Sequence, residues 1–248
     1  MSSNTEYIAK LSKAPLQEVI LEANWELDVH EGTNDLFDPG FELAQGLFAE
    51  AVRSDFPLHK RVIPPVVPLQ IFAQKPVHQF WKGERQWPVL QLGPGILTVN
   101  DTEKNYIWES TFRPMAEKAL DAVSQSYRGT LRFNKVNLRY IDAVSFSAGP
   151  RTELFHFIRE NLQVRVENEF EIGGSLSNLN VSETYTLDEG SQLTLVIATG
   201  TRNKVPAVVW QTAISKEGIQ KTEEIKQWLV YSHSTISNLF KRMLRKEY

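Results

Sequence analysis

Arg139 is the residue of this sequence with the clearest capacity for specific chemistry. It lies in the strand-like run Leu138–Asp142, where alternation places its guanidinium opposite the apolar neighbours and on the same side as Asn137. A guanidinium binds carboxylates and phosphates through two parallel hydrogen bonds. Two interpretations follow. The first is an ion pair with Glu22 or Glu26, which share the polar side of an earlier strand, and the second is an anchor for an anionic ligand in a groove.

The histidines are too scattered in the sequence to predict a metal site. None of the five has the i,i+4 or His-x-His spacing that indicates a pair of ligands; they are His30, His59, His78, His156 and His233. His233 falls on the apolar stripe of the last predicted helix. We therefore expect a partly buried histidine that orients this helix through a hydrogen bond to the sheet, with a binding role as the alternative.

The common catalytic motifs are missing from this sequence. The chain has no cysteine, which excludes thiolate nucleophiles, disulfides and cysteine-ligated metal centres. Ser175 follows two glycines without the Gly-x-Ser-x-Gly pattern of a nucleophile elbow. Gly93-Pro94-Gly95 predicts a tight turn into a strand, whereas a phosphate-binding loop needs a lysine and a following helix. No cofactor is expected.

Tryptophans are the other candidates for binding. The chain has six; Trp81 and Trp87 belong to one predicted hairpin, and Trp108 precedes a predicted helix with Glu109 beside it. Core packing accounts for most of them, and we expect Trp108 to fix the start of its helix against the sheet. An exposed subset would form a surface for a protein partner, because tryptophan and arginine dominate such contacts.

Composition narrows the class of protein. The chain has 248 residues, 42% of them hydrophobic and 23% charged, with a net charge of −3 and a pI near 6.0. These values are typical of a globular domain and argue against a general nucleic-acid binder, which is usually basic. No run approaches the length of a membrane span, and the first residues lack the pattern of a signal peptide. We expect a cytoplasmic protein with no membrane partner.

The pattern of elements predicts an α+β fold with an antiparallel sheet and helices packed on one face. Residues 1–14 form a polar lead-in and residues 15–248 a single domain. An alternating strand begins near Gln17, and Asp38-Pro39 marks the start of the first helix. Strand, helix, strands and helix follow one another twice, which suggests two topologically similar halves, 15–128 and 129–248.

Several segments together resemble a known family. They are Pro15 to Glu22, Leu90 to Pro94 with Asn100, Tyr106 with Trp108-Glu109, Leu138 to Asp142, and His233 with Ile236 and Phe240. In this order and spacing the chain resembles a sporadically distributed family of uncharacterised bacterial and archaeal proteins of similar length. The family pattern has asparagine where this chain has Asp142, and usually glycine where it has Ile107. The patchy distribution of the family resembles that of host-defence genes.

The function expected from the sequence is a non-catalytic binding or interaction module. Its partner would be another protein or a second copy of the chain, within a multi-gene system such as host defence. The surfaces that would carry binding are the polar sheet face with Glu22, Glu26, Asn137 and Arg139, and the hairpin with its tryptophans. The alternative is an enzyme or a small-ligand sensor, with an anion held by Arg139 in a pocket between the two halves.

Overall fold

The computed structural model describes residues 15–102, 104–146, 151–167, 169–170, 173–174 and 176–244. The predicted lead-in, residues 1–14, and Ser175 lie outside these residues. The strands are β1 (Leu16–Trp25), β2 (Asp28–Val29), β3 (Leu36–Phe37), β4 (Leu58–Arg61), β5 (His78–Gly83), β6 (Gln86–Gly93), β7 (Ile96–Thr102), β8 (Phe133–Ser145), β9 (Asn180–Thr186), β10 (Gln192–Arg202) and β11 (Val205–Glu217). The helices are α1 (Phe41–Val52), α2 (Arg113–Ser126), α3 (Arg151–Leu162) and α4 (Thr222–Met243).

The predicted α+β class is confirmed by one nine-stranded antiparallel sheet. Its strand order is β4-β5-β6-β7-β1-β8-β11-β10-β9, and β2 and β3 pair separately. The four described helices pack on one face of this sheet, which we call the helix face. The apolar residues of α1, α2 and α4 pack with Leu138 and its neighbours, and those of α3 pack with Trp210, which is on the same face as Leu138 by register. The other face, which no described helix covers, is the open face.

Strand β1 forms because its side chains alternate in character. Val19, Leu21, Ala23 and Trp25 are buried on the helix face. Glu18, Glu22 and Asn24 are half-buried on the open face. This division matches the alternation in the sequence. Strand β1 lies at the middle of the sheet, between β7 and β8.

The two halves repeat one topology. In the first half, β1 is followed by α1, an antiparallel series of strands ending in β7, and α2. In the second half, β8 is followed by α3, a series ending in β11, and α4. The first strand of each half pairs with the last strand of its own series, and β1 and β8 pair with each other at the centre. The repeat predicted from the sequence is therefore present, with β4 and the separate pair β2–β3 as additional strands in the first half.

The segment around Asp38 differs in detail from the prediction. The residue before α1 is Gly40, and Asp38 lies two positions earlier. Its carboxylate accepts hydrogen bonds from the Trp25 indole at 2.8 Å, the Tyr127 hydroxyl at 2.6 Å and the Gly95 amide at 3.2 Å. Asp38 therefore connects β1, the turn after β6 and the end of α2, instead of capping one helix.

Helix α2 begins differently from the prediction as well. It is preceded by a π-helical turn over Trp108–Phe112, and the hydroxyl of Thr111 bonds to the backbone of Ile107 and Asn105 within this turn. A π-helical turn is rare and is found frequently at functional sites. The turn brings Trp108 and Phe112 into the core together.

Candidate functional site

Arg139 lies at the centre of the open face and forms an ion pair with Glu22. One guanidinium nitrogen, Nη2, is 3.0 Å from Glu22 Oε1, and the other oxygen of Glu22 accepts a hydrogen bond of 2.8 Å from Asn137. The side chains of Arg139 and Glu22 are 27% and 26% exposed. The cross-strand pair expected from the sequence is therefore present, between β8 and β1. Glu26 lies beyond the end of β1, is exposed, and is not the partner of Arg139.

A hydrogen-bonded chain of polar side chains extends from β1 to β5 across the open face. Asn100 donates to Glu18 at 2.8 Å and accepts from Gln91 at 3.2 Å and from Thr98 at 2.8 Å. Gln91 in turn accepts a bond of 2.9 Å from Gln79. A separate group, Glu22 with Asn137 and Arg139, joins β1 to β8, so the two groups together occupy five adjacent strands, β5, β6, β7, β1 and β8. These contacts hold the polar side chains in one arrangement.

Trp81 and Trp87 lie at one end of this polar chain. The indole of Trp81 donates to Gln79 at 3.3 Å, and the two tryptophan rings meet edge to face with their centroids 5.5 Å apart. Both residues are half-buried. The hairpin tryptophans predicted as an interaction surface are therefore continuous with the open-face network.

A second polar group lies on the helix face, where the two halves meet. It contains Tyr106, Trp108, Tyr140 and His233, and we call it the tyrosine–histidine cluster. The hydroxyls of Tyr106 and Tyr140 are 2.7 Å apart, and the Tyr140 hydroxyl is 2.8 Å from His233 Nδ1. Trp108 stacks on the His233 ring with a centroid distance of 3.8 Å and an interplanar angle of 8°. The predicted hydrogen bond from His233 to the sheet is present.

The cluster is electrostatically neutral at pH 7. Burial lowers the pKa of His233 to about 4, with a smaller contribution from Lys241. Burial also raises the pKa of Tyr106 and of Tyr140 well above the usual value for tyrosine. With Nδ1 of the neutral His233 as the acceptor, Tyr140 donates to the imidazole and Tyr106 donates to Tyr140.

Two buried carboxyl groups lie on the same face. Asp142 is 3% exposed and follows Tyr140 by two positions in β8, so the two side chains share one face. Burial raises the pKa of Asp142 to about 7. Asp101 is fully buried, its Oδ2 atom has no hydrogen-bond partner among the described residues, and burial raises its pKa to about 6. Burial of Asp142 thus favours the neutral form of its carboxyl.

One contact between two histidines, His59 and His78, could not be expected from the sequence. His59 Nε2 lies 2.8 Å from His78 Nδ1, and the His59 ring stacks on Phe80 at 4.7 Å. Burial lowers the pKa of both histidines, and it lowers that of His78 to about 4 with the help of nearby His59 and Arg61. The contact depends on pairing of β4 with β5, which the sequence did not signal. His59 and His78 are 19 positions apart.

Other ligand sites can be assessed within the described part of the chain. There, no three histidine, aspartate or glutamate side chains lie close enough together to hold a metal ion. A cavity of about 420 Å³ lies in the first half; its lining includes Val52, Phe56, Leu90, Met115 and Lys118. In the part of the chain that the structure describes, no helix has the length and apolar character needed to cross a membrane.

Comparison with known proteins gives no match. The chain is not significantly similar to any protein family, curated protein or solved structure with which it was compared. The geometry of the open face and of the tyrosine–histidine cluster is therefore the basis for a functional assignment.

Proposed function

We propose that this protein is a non-catalytic binding module that receives a protein partner on the open face of its sheet. The observation that carries the proposal is the set of paired polar side chains on five adjacent strands of this face. One hydrogen-bonded group extends from β5 to Glu18 of β1, and the Arg139–Glu22 pair joins β1 to β8. A surface whose side chains already hold one position loses little conformational entropy when a partner binds.

The tyrosine–histidine cluster supports a non-catalytic role. A general acid or base works best when its pKa is near the operating pH. Burial moves the pKa of His233 well below neutrality and that of Tyr140 well above it. These groups connect α4, β8 and the segment before α2, and their protonation is not poised to change at pH 7.

The chemistry of the open face favours a polar protein surface over an anion. Glu18 and Glu22 contribute two negative charges beside the single positive charge of Arg139. The alternative, a sensor that holds an anion at Arg139, would have to displace Glu22 and overcome repulsion from Glu18. Trp81 and Arg139 are residue types that contribute most to protein interfaces. The family resemblance extends the proposal to a subunit of a multi-gene system such as host defence.

The test is capture of partners from the native host with charge-reversed variants. Arg139→Glu should lose a partner that the unmodified protein retains, because it places three carboxylates together on the open face. The matched control is the charge reversal Lys118→Glu. Lys118 lies on the helix side of the molecule, where its Nζ atom is 2.5 Å from Asp55 Oδ2. Quantitative mass spectrometry of the captured proteins measures both effects, and circular dichroism checks the fold of each variant.

Two results would overturn the proposal. One is a clean monomer with no retained partner, and the other is a partner retained equally by Arg139→Glu and the unmodified protein. Thermal stabilisation by a nucleotide, abolished by Arg139→Glu but not by Lys118→Glu, would instead favour the sensor alternative.

A further inference from the structure

The two edges of the sheet differ in how they are protected against pairing with another chain. Edge strand β4 has four residues, three of which are His59, Lys60 and Arg61, and Pro64 and Pro65 follow it. Short length, basic side chains and nearby proline are the usual protection of a sheet edge. Edge strand β9 has seven residues, Asn180–Thr186, and contains no lysine, arginine or proline.

Strand β9 presents a regular set of backbone groups outward. Leu187 N donates to Ser191 O at 2.8 Å, and Thr199 N donates to Leu179 O at 3.0 Å. Since hydrogen-bonded pairs alternate along antiparallel strands, the odd-numbered residues of β9 bond to β10. The even-numbered residues, including Ser182, Thr184 and Thr186, direct their N–H and C=O groups away from the sheet. Among the described residues, no strand pairs with this side of β9.

We propose that two copies of the chain associate through β9, with the strands antiparallel about a two-fold axis at Thr184. This register places Thr184 opposite its own copy and Ser182 opposite Thr186, so the outward groups of both strands bond to each other. It also places Glu183 opposite Tyr185. Within one chain the Tyr185 hydroxyl already donates to the Glu183 carboxylate at 2.5 Å, and Tyr185 is 50% exposed. The two nine-stranded sheets would become continuous.

The side chains select this register over the neighbouring ones. An axis at Glu183 would place two carboxylates directly opposite each other, which is destabilising. An axis at Tyr185 would shorten the paired segment and place Glu183 opposite Leu187. Of these three axes, the one at Thr184 combines complementary pairs on both faces with a paired length of several residues. The proposal does not depend on the open-face function, because edge pairing leaves that face accessible.

A single cysteine tests the axis directly, because the chain has none of its own. In the proposed register Thr184 and its copy form a hydrogen-bonded pair of an antiparallel ladder. The Cα atoms of such a pair are about 5.5 Å apart, within the range that a disulfide spans. Full-length Thr184→Cys should therefore form a covalent dimer under mild oxidation. Thr194→Cys is the matched control, since Thr194 neighbours Thr184 on β10 but lies one strand from the edge. Equal crosslinking of the two variants would overturn the proposal.

A second measurement does not require a disulfide. Sedimentation of the unmodified protein should reveal a monomer–dimer equilibrium between about 1 μM and 1 mM, the range of weak association. Thr184→Lys should abolish the dimer by placing like charges on the axis, while Thr194→Lys should leave it. A protein that remains monomeric throughout would contradict self-association and leave the edge to an extended segment of another protein. A dimer that persists in Thr184→Lys would assign a different interface.

Discussion

At the scale of single residues, Asp142 has the least ordinary environment. It is 3% exposed on the helix face, and burial raises its pKa to about 7. An aspartate in the unfolded chain ionises near pH 4, so the folded state holds a proton that the unfolded state has already lost. This contribution to stability is complete below pH 4 and is lost as the pH rises through 7. Asp101, with a pKa of about 6, acts in the same direction.

We therefore predict that Asp142→Asn stabilises the protein in alkaline solution. The amide cannot ionise, so the benefit should be larger by about 2 kcal/mol at pH 8 than at pH 5.5, at roughly 1.4 kcal/mol for each pKa unit crossed. Urea unfolding at the two pH values measures the difference. His78 and His233, whose pKa values are lowered, reduce stability below pH 6.5 in both proteins and so cancel in the comparison. The control is Asp28→Asn, because Asp28 is exposed in strand β2. An equal benefit at both pH values would contradict the prediction.

The residues of the candidate sites were predictable to different degrees. Alternation along β1 and β8 places Glu22, Asn137 and Arg139 on one face. This was enough to predict an ion pair of Arg139 with Glu22 or Glu26, but not which of the two, nor the hydrogen bond from Asn137 to Glu22. It places Tyr140 on the core side but cannot say what the hydroxyl at the end of the ring meets. That partner, His233, is 93 positions away and depends on how α4 packs. Asp142 has the same parity as Leu138 and Tyr140, so alternation places it on the core side as well, although the type of residue favours exposure.

At the scale of elements, the turn between β6 and β7 depends on a close backbone approach. A Cβ atom on Gly93 would lie 1.9 Å from the carbonyl oxygen of Lys75, a backbone atom that cannot move without shifting the chain. Gly46, in the middle of α1, is the opposite case, since a Cβ atom there would meet nothing within 4 Å.

The two glycines give a matched pair of substitutions to alanine. Gly93→Ala should lower the free energy of unfolding by about 1–3 kcal/mol, the usual cost of excess volume in a packed site. Gly46→Ala should raise it by about 0.5–1 kcal/mol, because alanine favours the helix over the unfolded chain. Thermal and urea unfolding measure both. A destabilised Gly46→Ala, or an unchanged Gly93→Ala, would show that this description of the turn is wrong.

The elements that the sequence failed to predict share a physical cause. Strand β4 is short and fully exposed, so it has no apolar alternation to reveal it. Asp38 follows the rule for a helix cap in sequence, but the buried groups of Trp25 and Tyr127 compete for its carboxylate. Tertiary contacts decided both outcomes. The alternating strand expected from about Gln17 begins at Leu16, because its strong periodicity agrees with the tertiary contacts.

At the scale of the whole molecule, the halves share their interior as well as their topology. One hydrophobic cluster includes Val19 and Phe48 from the first half and Leu138 and Ile225 from the second. A shared core favours a single cooperative unit.

We predict that amide hydrogen exchange is slowest in the central strands, β1 and β8, and fastest in the edge strands, β4 and β9. The central pair has hydrogen-bonded neighbours on both sides, whereas each edge strand has one. Exchange measured by mass spectrometry on proteolytic fragments gives the ranking. The prediction is contradicted if all amides of the second half, including those of β8, exchange before those of the first half. That pattern would indicate two domains that unfold independently.

The central pairing of β1 with β8 also has a consequence for synthesis on the ribosome. Strand β1 leaves the ribosome early and finds β7 within the first half, but its other edge has no partner until β8 emerges. At about 5–20 residues per second the nascent chain carries this unpaired strand edge for some seconds. During that interval the protein is most exposed to chaperone capture and to aggregation with other nascent copies. Yield in cells should therefore respond to translation speed between β7 and β8 more than to changes elsewhere in the message.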